Sequence, residues 1–254
     1  MDKKLRKLIL LSVIVGGIII SNSDGINAQS FPKITIGVEE TDEPEEVALT
    51  LQILAMMTVL SLAPSILIMM TSFTRIIVVF HFMRQALGTQ QMPPNQLLLG
   101  LAIFITIFVM TPVWTKVNDD ALQPYLAKEI NYKDAIDKGM EPIRNFMFAQ
   151  TREKDLSLFL KMSNATKPAN MGEISNKVLI PSFIISELRK AFQIGFILYI
   201  QLLVLDLVVA SILMSMGMMM LPPVMISLPF KILLFVLVDG WNLLIGSLIT
   251  GIKY

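Results

Sequence analysis

"AFQIGFILYIQLLVLDLVVASILMSMGMMMLPP", residues Ala191 to Pro223, decides how the rest of the chain is read. From Ala191 to Met214 its only charged residue is Asp206, and the run is long enough for a membrane-spanning helix. It then places methionine at five of seven positions (214, 216, 218, 219 and 220) around Gly217 and closes on Pro222-Pro223. A glycine followed by a proline pair predicts a helix break at that point. Methionine fills irregular gaps in ordinary cores, but so many in one place leave a core poorly specified. A flexible thioether-rich segment at a break can instead repack around objects of variable shape, as a seal or guide would.

Three further runs share this character. Residues 47–74 carry no charge and are interrupted only by Pro64, which predicts a spanning helix with a proline kink. Leu97–Trp114 is a second run, and Ile232–Ile252 a fourth, with Asp239 inside it. About four long apolar helices and no strand pattern predict an all-α, membrane-associated protein. Composition agrees: 54% of the 254 residues are hydrophobic and 16% charged, against about a quarter charged in soluble domains.

The N-terminus reads as a targeting segment. Lys3, Lys4, Arg6 and Lys7 precede an apolar stretch from Leu8 to Ile20, followed by a polar stretch and Ala28. Such a stretch reaches about 20 Å as a helix, short of a bilayer core of about 30 Å, so residues 1–28 are expected to be a cleaved signal peptide. Residues 29–46, with six acids from Glu39 to Glu46, are expected to be an extended acidic lead-in. The remaining divisions are a first apolar helix pair at 47–114, a polar extracytoplasmic subdomain of short helices at 115–182, and a second apolar pair at 183–254. The segment 74–96 holds Arg75, His81 and Arg84 without an acid, and is expected to be a cytoplasmic loop by the positive-inside rule. Its Pro93-Pro94 and the later Pro222-Pro223 would then face the same side.

Several chemistries are excluded. Without cysteine there is no disulfide, thiolate nucleophile or cysteine metal site, and a single histidine leaves no triad or zinc set. No phosphate-binding loop or nucleic-acid motif occurs. The two aspartates within apolar segments remain. Asp206 and Asp239 could bind a cation or relay protons, or could bond to a neighbouring subunit or a packed cation, with Glu187, Arg189 and Lys190 as candidate partners. Small residues four apart (Ser211 with Ser215, Gly246 with Thr250, Ser247 with Gly251) would let helices approach closely.

Two long stretches carry a family resemblance. "TSFTRIIVVFHFMRQALGTQQMPPNQLLLGLAIFITIFVMTPV" (71–113) and "PSFIISELRKAFQIGFILYIQLLVLDLVVASILMSMGMMMLPPVMISLPFKILLFVLVDGWNLLIGSL" (181–248) closely resemble the FliP family of flagellar type III export-gate proteins. "NDDALQPYL" and "QTREKDLSLFL" between them do so too. The resemblance implies a gate subunit rather than an enzyme, with no cofactor, in the bacterial inner membrane within the flagellar basal body. It implies a homopentamer with FliQ-like and FliR-like small membrane proteins, FlhA-like and FlhB-like export components nearby, and unfolded flagellar subunits in transit. Helical hairpins would pack into a multi-subunit cone, so the apolar helices need not all face lipid. Met216, Met218, Met219 and Met220 would form the methionine gasket, with the break at Gly217, Pro222 and Pro223. Where the family commonly has Pro-Phe after Tyr199, Gln201-Leu202 stand here, which predicts a straighter third helix. An injectisome paralogue and a cation-coupled transporter using Asp206 and Asp239 are the other readings.

Overall fold

The computed structural model describes residues 44–89, 91–163, 170–218 and 221–253. The expected signal peptide and nearly all of the acidic lead-in lie outside them. The chain divides into two units, Met1–Leu54 and Ala55–Tyr254; apart from the start of the first helix, everything that follows lies in the second. All described regular elements are helical.

The first helix, α1, runs Pro44–Met69, so the last residues assigned to the lead-in are its first turn. It stays helical through Pro64, which only removes one backbone donor. A tight turn at Met70–Ser72 leads into α2, Phe73–Leu87. Here the expectation of a loop over 74–96 is corrected. The two arginines and the histidine mask a helical stripe: Ile76, Val79, Phe80, Met83, Ala86 and Leu87 recur at three- and four-residue spacing and are all buried. Gly88, in the left-handed region (φ 77°), ends α2 and its N–H returns to Gln85 O.

α3, Asn95–Val117, continues through a π-helical turn at Asn118–Leu122 into the short α4, Gln123–Leu126. α5, Tyr132–Gln150, starts where the Asn131 side chain accepts the Asp134 N–H at 2.9 Å, and α6 follows at Glu153–Met162. These form the polar block as short amphipathic helices. Its expected end at residue 182 has no structural counterpart, because α7 is one helix from Asn176 to Ser215. It passes Pro181 and the Gln201-Leu202 pair without a break. At about 1.5 Å per residue α7 is about 60 Å long, twice a hydrocarbon core.

The fourth apolar run is not one helix. α8, Pro223–Leu237, and α9, Gly240–Thr250, meet at a 63° bend. The contacts give the directions. Arg75 meets Glu187, Phe82 lies against Phe192 and Gly195, and Ala86 reaches α8 through Lys231, so α2 and α7 run parallel. Val224 sits beside Gly88, Trp241 against Phe80 and Gly251 against Arg75, so α8 and α9 together run back along α2 as a broken span.

Candidate functional site: two buried charge layers and a methionine cap

Arg75, in the first turn of α2, is 1% exposed, and Glu187 on α7 is 0% exposed. The guanidinium Nε and Nη2 donate to the two oxygens of that carboxylate, Nε at 2.8 Å. Nη1 donates to Gly251 O at 3.0 Å, and Nη2 also to Gln150 Oε1 at 2.7 Å. Lys190, one turn beyond Glu187, donates to Gln150 O and Oε1 at 2.7 and 2.8 Å, while Gln150 Nε2 donates to Lys253 O at 2.6 Å. Helices α2, α5 and α7 and the segment after α9 therefore meet in one network. A bidentate guanidinium suits it, because a planar fork satisfies several acceptors at once.

A second cluster flanks this layer. Arg152 grips Asp155 through Nε and Nη2 at 2.9 and 2.7 Å, and Ser186 Oγ donates to the same carboxylate at 2.6 Å. Burial pushes the Asp155 carboxyl up, but the Ser186 hydrogen bond and the charges of Arg152 and Arg189 together outweigh it and hold the group below its ordinary range. Ser72 Oγ is buried near the start of α2 and has no hydrogen-bond partner among the described residues.

The second layer is Asp206. Its partner is Lys231, 3% exposed, whose Nζ lies 2.7 Å from Asp206 Oδ2 and 3.0 Å from Ala86 O. Ser227 Oγ also donates to Asp206. None of Glu187, Arg189 and Lys190 partners Asp206 among the described residues: Glu187 and Lys190 belong to the Arg75 network, and Arg189 is exposed. Lys231 was legible in principle as the lone cation between two apolar runs, a natural complement to a lone carboxylate. Gln150 gave no signal, since a glutamine at a helix end is ordinary. Asp239 is apart from both layers. It sits at the α8–α9 bend with φ 52° and accepts the Asn242 Nδ2 hydrogen at 3.1 Å.

Beyond the Asp206 layer comes the cap. α7 stops in a Schellman motif: Gly217 adopts φ 74°, its N–H returns to Met214 O, and the Met218 N–H returns to Leu213 O. Met216 and Met218 are exposed on either side of Gly217; Met219 and Met220 lie outside the described residues. Pro222 precedes α8 and Pro223 occupies its first turn, where a missing N–H costs nothing. Arg84 lies at this same end, bonded to Asn95 Oδ1 and 3.3 Å from His81 Nδ1. The charged positions of the presumed loop thus lie on one helix, with Arg75 at one end and Arg84 at the other.

A family model for the FliP family matches residues 56–248, which takes in both charge layers and the cap. The chain belongs to the FliP family. It is 53% identical over 216 residues to the flagellar biosynthetic protein FliP of Bacillus subtilis, covering 85% of this chain and 98% of that one. Identity to the Pectobacterium carotovorum FliP is 53% over 200 residues (79% and 78% of the two chains), and to the Borreliella burgdorferi FliP 47% over 209 residues (81% and 82%). In this FliP-family chain the backbone groups of Gly251 and Lys253, which complete the Arg75 network, fall just beyond the matched region.

Proposed function

We propose that this chain is a core subunit of the flagellar protein export gate in the bacterial inner membrane, forming with further copies and FliQ-like and FliR-like proteins the channel that unfolded flagellar subunits cross. The observation that carries this reading is the 53% identity over nearly the full length of a flagellar biosynthetic protein. The relatives compared bear flagellar names, which favours this reading over an injectisome paralogue.

The geometry supports a multi-subunit gate over a free-standing bundle. Arg75 and Ala86 are eleven residues apart on α2, so the two charge layers are separated by about 17 Å, little more than half of a 30 Å hydrocarbon core. Helices α1, α3, α7 and α8 meanwhile expose large apolar side chains such as Leu60, Phe104, Phe108, Phe196 and Phe230. In the proposed assembly neighbouring subunits cover much of that surface. Asp206, already paired with Lys231, is poorly suited to be the ion site of a transporter.

In this mechanism Met216, Met218, Met219 and Met220 of each copy line a constriction beyond the end of α7. Thioethers exclude water and ions when the gate is idle, and yield to a passing chain because they have many rotamers and no strong hydrogen bonds to break. The test is complementation of a strain lacking its own FliP. Motility and secreted flagellar subunits should return with the wild-type chain. Alanine at the four methionines should leave the assembly intact but let ions leak, measured as collapse of membrane potential; an ion-tight alanine variant would refute the gasket.

A further inference from the structure

We infer that Asp239 and Arg189 form an ion pair between two copies of this chain, joining the α8–α9 elbow of one to an exposed stripe of α7 on the next. The inference rests on the multi-subunit reading above, and not on what passes through the channel.

The elbow is a shaped projection. Phe235 folds over Gly240, where an added Cβ would come within 2.4 Å of the ring, and it meets Trp241 edge-on at 5.7 Å. With that side packed, Val236 (68% exposed), Leu237 (76%), Val238 and Leu243 point outward. In their midst stands the exposed Asp239 carboxylate, on a backbone conformation that a residue other than glycine rarely takes. Its hydrogen bond comes from the neutral Asn242, and no cation pairs with it among the described residues. A carboxylate within an apolar surface is costly unless a cation meets it.

The complementary surface is on α7. Ile185, Arg189, Phe192 and Phe196 fall on one face at spacings of four, three and four residues, and all are exposed. Arg189 makes no ion pair or hydrogen bond among the described residues. Asp155, the acid that feels its charge, is already held by Arg152 and Ser186. One chain thus carries an anion framed by Val236, Leu237 and Leu243 and a cation framed by Ile185, Phe192 and Phe196, neither in an ion pair among the described residues. Copies inserted in one membrane share an orientation, so each can offer its elbow to the stripe of the next. Such a head-to-tail contact repeats from copy to copy, as a ring or a helix according to its rotation. A cation from an unlike subunit is the competing partner.

The chain has no cysteine, so paired replacements report contact cleanly. Arg189→Cys in a copy with one tag and Asp239→Cys in a copy with another would be co-expressed with the other gate proteins and oxidised in isolated membranes. A disulfide-linked dimer carrying both tags is expected, with none when either replacement is alone. Asp239→Asn keeps a side chain that tolerates the left-handed backbone while removing the charge. It and Arg189→Gln should each reduce the assembled multimer, and the double variant should lose no more than either single one. An assembled multimer without the cross-link, or additive losses, would overturn the pair while leaving the multi-subunit reading standing. A wild-type chain that forms no multimer with its partners would instead sink that reading.

Discussion

The two ends of α7 are built on opposite principles. At the Glu187 end, guanidinium, carboxylate, amide and ammonium groups satisfy one another within a buried network that draws in α2, α5 and the segment after α9. At the Met216 end, two backbone hydrogen bonds cap the helix and the Met214, Met216 and Met218 side chains are exposed. The first arrangement is expensive to disturb, because separating one partner leaves a charge or dipole buried alone. The second has little to lose. In the proposed gate, the first end would hold its shape and the second would give way.

Glu187→Ala should strip Arg75 of its counter-charge and cost about 3–5 kcal/mol, seen as a large drop in thermal unfolding temperature of the detergent-solubilised protein. A loss under about 1 kcal/mol would mean that the buried layer does not organise this end. Gly195→Ala comes next. The new Cβ would lie 2.4 Å from the Phe82 ring, so α2 and α7 must part, at a cost of about 1–3 kcal/mol. Phe82→Ala in the same chain should recover part of the deficit if that clash is the cause.

At the cap, Gly217→Ala meets nothing within 4 Å, so its cost is backbone strain alone, about 1 kcal/mol in the same melt. Asp155 gives a pH signature of the rigid end. Its folded pKa lies below the unfolded value of about 3.9, so its contribution is fully present above that value and fades as pH falls through the lower folded one. Asp155→Asn should flatten this acid limb of the stability profile; an unchanged limb would remove Asp155 from the account. The smallest effect is expected for Met216→Ala with Met218→Ala, within about 0.5 kcal/mol because both side chains are exposed. A much larger loss would show that the cap is structural and not yielding.

Legibility in the sequence followed the same divide. The apolar runs, the break after α7 and the short amphipathic helices were readable, since hydropathy and glycine or proline chemistry act locally. Residues 74–96 read as a cytoplasmic loop because they are basic without an acid, yet most of them form α2. Arg75 is charged and buried, and what permits this is Glu187, 112 residues further on. The fourth run looks continuous because a single acid, Asp239, does not shorten an otherwise apolar stretch. The bend falls at Asp239, whose backbone is left-handed, beside Phe235 packed over Gly240.

By itself, then, the sequence determined an all-α chain of long apolar helices, the methionine cap at the close of the longest, and its resemblance to the FliP family. The tertiary structure decided which charges neutralise which: Arg75 with Glu187, Lys231 with Asp206, and Arg189 and Asp239 left without an ion-pair partner among the described residues. The reason is physical. Burial of apolar side chains is a property each segment carries alone, whereas a charge in an apolar setting is tolerated only through a partner that folding brings from elsewhere.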